Sequence, residues 1–75
     1  MTRTDAAKKM KARKVMGGGA GYWTDIWGAA HCGWWKDATL GVWVAKNHTT
    51  GESVMFEKMR EAREQAAAWY FGLEA

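Results

Sequence analysis

Four of the six tryptophans of this 75-residue chain fall in one stretch, GYWTDIWGAAHCGWW, running from Gly21 to Trp35. The same stretch holds the single cysteine, Cys32, and one of the two histidines, His31. So much indole in so short a chain constrains the fold more than any other feature. A chain of this length buries only about 60% of its unfolded surface, which leaves an ordinary aliphatic core marginally stable. Small domains compensate with disulfides, a metal ion, association, or unusually large core side chains. One cysteine excludes an internal disulfide, and two histidines with one cysteine argue against a structural zinc site. Rings are what remains, since each aromatic side chain can bury roughly 150–250 Å². So small a domain cannot easily enclose all six indoles. One or two are expected outside, as anchors for a partner or stacking surfaces for bases.

Two local readings of this stretch are open. Residues 22–27, YWTDIW, are rich in strand formers. Trp23, Trp27, Ala30 and Trp34, however, recur at spacings of 4, 3 and 4, which would align them on one helix face. Gly28 and Gly33 weaken such a helix by about 1 kcal/mol each, so strands are favoured. On strands, the neighbours Trp34 and Trp35 must point to opposite faces, which makes one of them the expected exposed ring. Trp23 and Trp27 share a face with Asp25.

TLGVWVAKN (39–47) is the clearest strand, with Leu40, Val42 and Val44 on one side and Trp43 and Ala45 on the other. HTTGE turns the chain, with Gly51 available for a positive φ, and SVMFE returns it. Met59, Ala62, Ala66, Trp69 and Leu73 then recur at spacings of 3, 4, 3 and 4, the apolar stripe of a helix that Gly72 is placed to end.

Charge divides the chain. Residues 1–16 carry Arg3, Lys8, Lys9, Lys11, Arg13 and Lys14 against Asp5 alone, whereas the remainder is slightly acidic. TDAAKKMKARKVM has good helix formers, with Thr4 or Asp5 as N-cap, but a thin apolar face. The segment reads as a weakly held basic arm, suited to phosphates or to an acidic protein surface. GGGAG (17–21) lacks the lysine and hydroxyl of a phosphate-binding loop and reads as a linker. Residues 22–75 form the folded domain. The expected architecture is α+β, in the order α-β-β-β-α. It has a small antiparallel sheet of three or four strands between an N-terminal and a C-terminal helix.

Catalysis finds little support. A thiolate nucleophile needs a base within hydrogen-bond reach, and adjacent strand residues such as His31 and Cys32 diverge. No paired carboxylates, nucleophile elbow or metal-ligand cluster appears, so no enzyme, metal or cofactor is expected. His48 falls in a turn and is expected to be exposed. Lys58, Arg60 and Arg63 cluster at the start of the last helix, where cations oppose the helix dipole and an anionic partner would relieve them. The residues expected to meet a partner are Trp23, Trp27, Trp34, Trp35, Lys58, Arg60 and Arg63, with Lys8, Lys9, Lys11, Arg13 and Lys14 in the arm.

The order of elements, with GAAHCGWW and REAREQAAAW, resembles the double-stranded RNA-binding domain. Gly28, His31 and Trp35 match the spacing of that family's loop, and Arg60, Ala62, Arg63, Ala66 and Ala67 resemble its last helix. The resemblance implies that His31 approaches a minor groove and that Lys58, Arg60 and Arg63 meet phosphates. By size and type alone, the chain also looks like the host-takeover proteins of bacteriophages, including anti-CRISPR inhibitors, which act by docking on nucleic-acid-handling machines. The leading expectation is a non-enzymatic interaction protein of the bacterial cytoplasm, a monomer or homodimer, with a protein partner. Direct binding of double-stranded nucleic acid is the alternative. No membrane segment is expected.

Overall fold

The computed structural model describes residues 2–10, 12–15, 21–26 and 29–73, with the backbone alone at 13–15, 25, 26, 29 and 30. The elements are α1 (Arg3–Lys9), β1 (Arg13–Val15), β2 (Gly21–Ile26), β3 (Ala29–Asp37), β4 (Val42–Asn47), β5 (Ser53–Phe56) and α2 (Met59–Tyr70). The strands form one antiparallel sheet in sequence order, β1-β2-β3-β4-β5. The α+β class, the antiparallel sheet and the two framing helices are those expected.

The sheet has five strands, and the additional one, β1, lies inside the segment read as a helical arm. Thr2, rather than Thr4 or Asp5, caps α1, its Oγ1 accepting from the Asp5 N–H at 3.1 Å. The helix stops at Lys9 because Met10 turns extended, with ψ at 127°. The chain then pairs with β2, Arg13 opposite Trp23 and Lys14 opposite Tyr22. Ala6, Ala7 and Met10 pack in the same core as Cys32, Trp34, Ala45, Ala62, Ala66 and Ala67. α1 and β1 are therefore part of the packed unit. Of the linker, residues 17–20 lie outside the described residues and Gly21 begins β2.

Both tight hairpins use one device. Asp37 Oδ1 accepts from the Thr39 and Leu40 N–H groups, and Asn47 Oδ1 accepts from the Thr49 N–H. Four residues after each, a glycine takes a positive φ and donates its N–H back, Gly41 (φ 70°) to the Asp37 carbonyl and Gly51 (φ 81°) to that of Asn47. The first device shortens the expected 39–47 strand, because Leu40 and Gly41 belong to the turn. At the other end, Gly72 (φ 66°) closes α2 as foreseen. The Leu73 N–H bonds the Ala68 carbonyl and the Gly72 N–H that of Trp69, the paired bonds of a Schellman cap.

Register explains the layering. Tyr22, Trp34, Ala45 and Val54 stand side by side across four strands, and α1 and α2 cover this face. Between β2 and β3 the register slips. Thr24 opposes Cys32 but Asp25 opposes Ala30, so His31 is an extra residue in a bulge. The buried Thr24 hydroxyl closes the gap, donating to the Cys32 carbonyl at 3.1 Å and accepting from its N–H at 3.2 Å.

Candidate interaction face

Strand alternation sends every second side chain to the face opposite the helices. The register there gives two rows. One runs Trp23, Gly33, Lys46, Ser53; the other runs Gly21, Trp35, Val44, Met55. No described helix covers them. In each row a tryptophan stands cross-strand from a glycine, Trp23 from Gly33 and Trp35 from Gly21. The missing side chains leave room for the rings. Any Cβ at Gly33 would collide with Cε3, Cζ3 and Cδ2 of Trp23, and one at Gly21 would meet Trp35 Cβ at 3.2 Å. The indoles stack with centroids 5.5 Å apart and planes 24° from parallel, and the His48 ring tilts against Trp23 at 4.5 Å. Both tryptophans are half-buried. Around them Val44 is buried, Val42 half-buried, and Met55 63% exposed.

The arrangement is a preformed aromatic platform. Its rings are held by backbone register and by one another, so little side-chain freedom is left to lose on binding. Among the described side chains, Lys46 in the Trp23 row and Asp37 at the end of β3 place charge at its margin. Partial burial, assisted by the Lys46 charge, lowers the His48 pKa below its ordinary value of 6.5, so this imidazole is neutral at pH 7.

Trp34 corrects the sequence-based expectation. Of the neighbouring pair it is the inner ring, 3% exposed and stacked on Tyr22 at 5.2 Å, so it belongs to the core and not to the helix-free face. Trp35 is the outer one, and Trp23 joins it. Trp27 and Lys11 lie outside the described residues. Lys58 and Arg60 are exposed at the start of α2, and Lys8 and Lys9 at the end of α1. Arg63 is committed elsewhere: its Nη2 donates to the Ala7 carbonyl at 2.8 Å and ties α1 to α2. His31 sits within β3, its Nδ1 3.1 Å from the Thr49 hydroxyl and its ring edge-on to Tyr70.

Cys32 is fully buried, and burial pushes its pKa up to about 11. At neutral pH it is a thiol, the unreactive form. Among the described residues no group of three or more His, Cys, Asp or Glu is gathered to hold a metal ion, and no helix is long and apolar enough to cross a membrane.

The sequence-based reading missed Gly21 and Gly33 as members of the site, together with Val44, Lys46, His48 and Met55. A signal was present. Gly21-Tyr-Trp23 and Gly33-Trp-Trp35 repeat one pattern, and antiparallel pairing lays each glycine against the other's tryptophan. No protein-family model, curated protein or solved structure matches the chain.

Proposed function

We propose that this protein is a non-enzymatic interaction module that docks on a protein partner through the helix-free face of its sheet. The observation that carries the reading is the stacked Trp23–Trp35 pair, half-buried on a face that no described helix covers. Tryptophans of this kind, ringed by apolar neighbours such as Val44 and Met55, have the composition of binding hot spots. Lys8, Lys9, Lys58 and Arg60 are exposed and supply electrostatic steering toward an acidic surface. Small size, a basic N-terminal segment and a surplus of aromatic surface suit a stoichiometric inhibitor of a nucleic-acid-handling complex in the bacterial cytoplasm, as made by phages and mobile elements. The same platform supports a second reading, stacking on the bases of a nucleic acid, which the Lys46 ammonium in the Trp23 row favours.

The test is a pull-down from bacterial lysate with the wild-type chain and with Trp35→Ala. A stoichiometric partner held by the wild type and lost by the variant supports protein docking. Recovery of the same partner by both baits overturns the assignment of the face. Titration with duplex and single-stranded RNA and DNA at two salt concentrations covers the second reading, which requires an affinity that falls with salt. Absence of binding at low salt removes it.

A further inference from the structure

On the other side of the sheet, the helices leave a cleft of about 250 Å³ lined by Met10, Ala12, Tyr22, Trp34, Met59 and Arg63. Two of its lining residues, Trp34 and Arg63, carry groups out of keeping with plain core packing. The Trp34 Nε1 is buried with no hydrogen-bond partner among the described residues. Buried indole N–H groups ordinarily find an acceptor, so an orphan of this kind calls for one. The second is the Arg63 guanidinium, which the Ala7 carbonyl anchors through Nη2. A guanidinium has five N–H donors in a planar fork, and a fork fixed at one corner is preorganised for a carboxylate. The remaining wall is apolar and adaptable, with the Tyr22 ring stacked on Trp34 and two methionines that shape themselves to irregular ligands.

Charge and size narrow the occupant. Lys58 caps α2 without a side-chain hydrogen bond to its first turn, and Lys58 and Arg60 are exposed beside Met59. The positive end of the helix dipole and these cations favour an anion at the Met59 end of the cleft. The volume is below that of pockets for drug-sized ligands, which begin at roughly 300 Å³.

We infer that the cleft binds a small planar carboxylate, an aromatic acid of about the size of phenylacetate. Its ring lies against Tyr22, Trp34 and the methionines, and its carboxylate is held by Arg63. The site is separate from the Trp23–Trp35 face and stands or falls independently of it.

The experiment follows the tryptophan indole N–H and methionine methyl NMR signals while phenylacetate is added, with phenylacetamide as the neutral isostere. A saturable shift of the Trp34 N–H and of the Met10 and Met59 methyls is expected, with the amide bound about tenfold or more weakly, as loss of a charge-assisted contact dictates. Met59→Glu places a competing carboxylate beside Arg63 at a position that is 40% exposed, so the variant should fold and lose phenylacetate binding. N-Acetylphenylalanine separates two sources of the same chemistry: tighter binding than phenylacetate points to a peptide's chain end, weaker binding to a free acid. No saturable shift at millimolar phenylacetate, equal binding of the amide, or unchanged binding by a folded Met59→Glu overturns the proposal.

Discussion

Trp23 of β2 lies flat over Gly33 of β3, and the ring occupies the space any side chain at that position would need. The pair shows how a face without helices keeps its indoles in order. Gly33→Ala should displace the Trp23 ring, separate it from Trp35 and destabilise the fold by about 1–3 kcal/mol, the usual range for overpacking. Denaturant unfolding measures the loss, and near-UV circular dichroism reports the broken indole pair. An alanine variant with wild-type stability and spectrum would show that the ring is not seated on the glycine.

Thr24 replaces ladder hydrogen bonds with its own hydroxyl where the bulge opens. Thr24→Val keeps the shape but strands the buried Cys32 N–H and carbonyl. Each orphan costs about 1–3 kcal/mol, so a combined loss of about 2–6 kcal/mol is expected by chemical denaturation. Thr24→Ser keeps the hydroxyl and should recover most of it.

These two sites also mark what the sequence could disclose. Periodicity located α2, and a glycine at the required spacing located its end, because both are local properties of the chain. The divergence of Trp34 and Trp35 was equally legible, being a consequence of strand alternation. Which of the two points inward was not. That depends on register against β2 and β4 and on which face the helices cover, and both are tertiary choices. The segment 13–15 misled for a related reason. Its helix formers are overruled by pairing with β2, which adds a fifth strand. The bulge at His31 and the engagement of Arg63 by Ala7 have no sequence signature, since each rests on a partner distant along the chain.

Cys32 offers a pH test. Burial raises its pKa from 9.0 to about 11, so folding holds the proton more tightly than the unfolded chain does. The associated stability is fully present below pH 9.0 and is lost as pH rises toward about 11. At pH 8 the ionisation difference alone should slow alkylation by iodoacetamide about 100-fold in the native protein relative to the guanidinium-unfolded chain, two pKa units being two decades of thiolate. Steric closure adds to this. Equal alkylation rates in the two states would show that the thiol is open to solvent.

Trp34 and Trp35 are neighbours with opposite duties, and alanine substitutions should separate them. Trp34 is enclosed by α1, α2 and Tyr22, so Trp34→Ala removes a buried indole and leaves a cavity, at a cost of about 3–5 kcal/mol. In a domain this small that loss should unfold much of the population at 37 °C, as thermal melts would record. Trp35 is half-buried, with one ring face against Trp23. Trp35→Ala should leave a cooperative melt, with a loss well below that of Trp34→Ala, while abolishing capture of the docking partner. The decisive comparison is between stability and binding within each variant. If Trp35→Ala unfolds the chain as readily as Trp34→Ala, the outer ring is structural, and the helix-free face loses its claim as a docking surface.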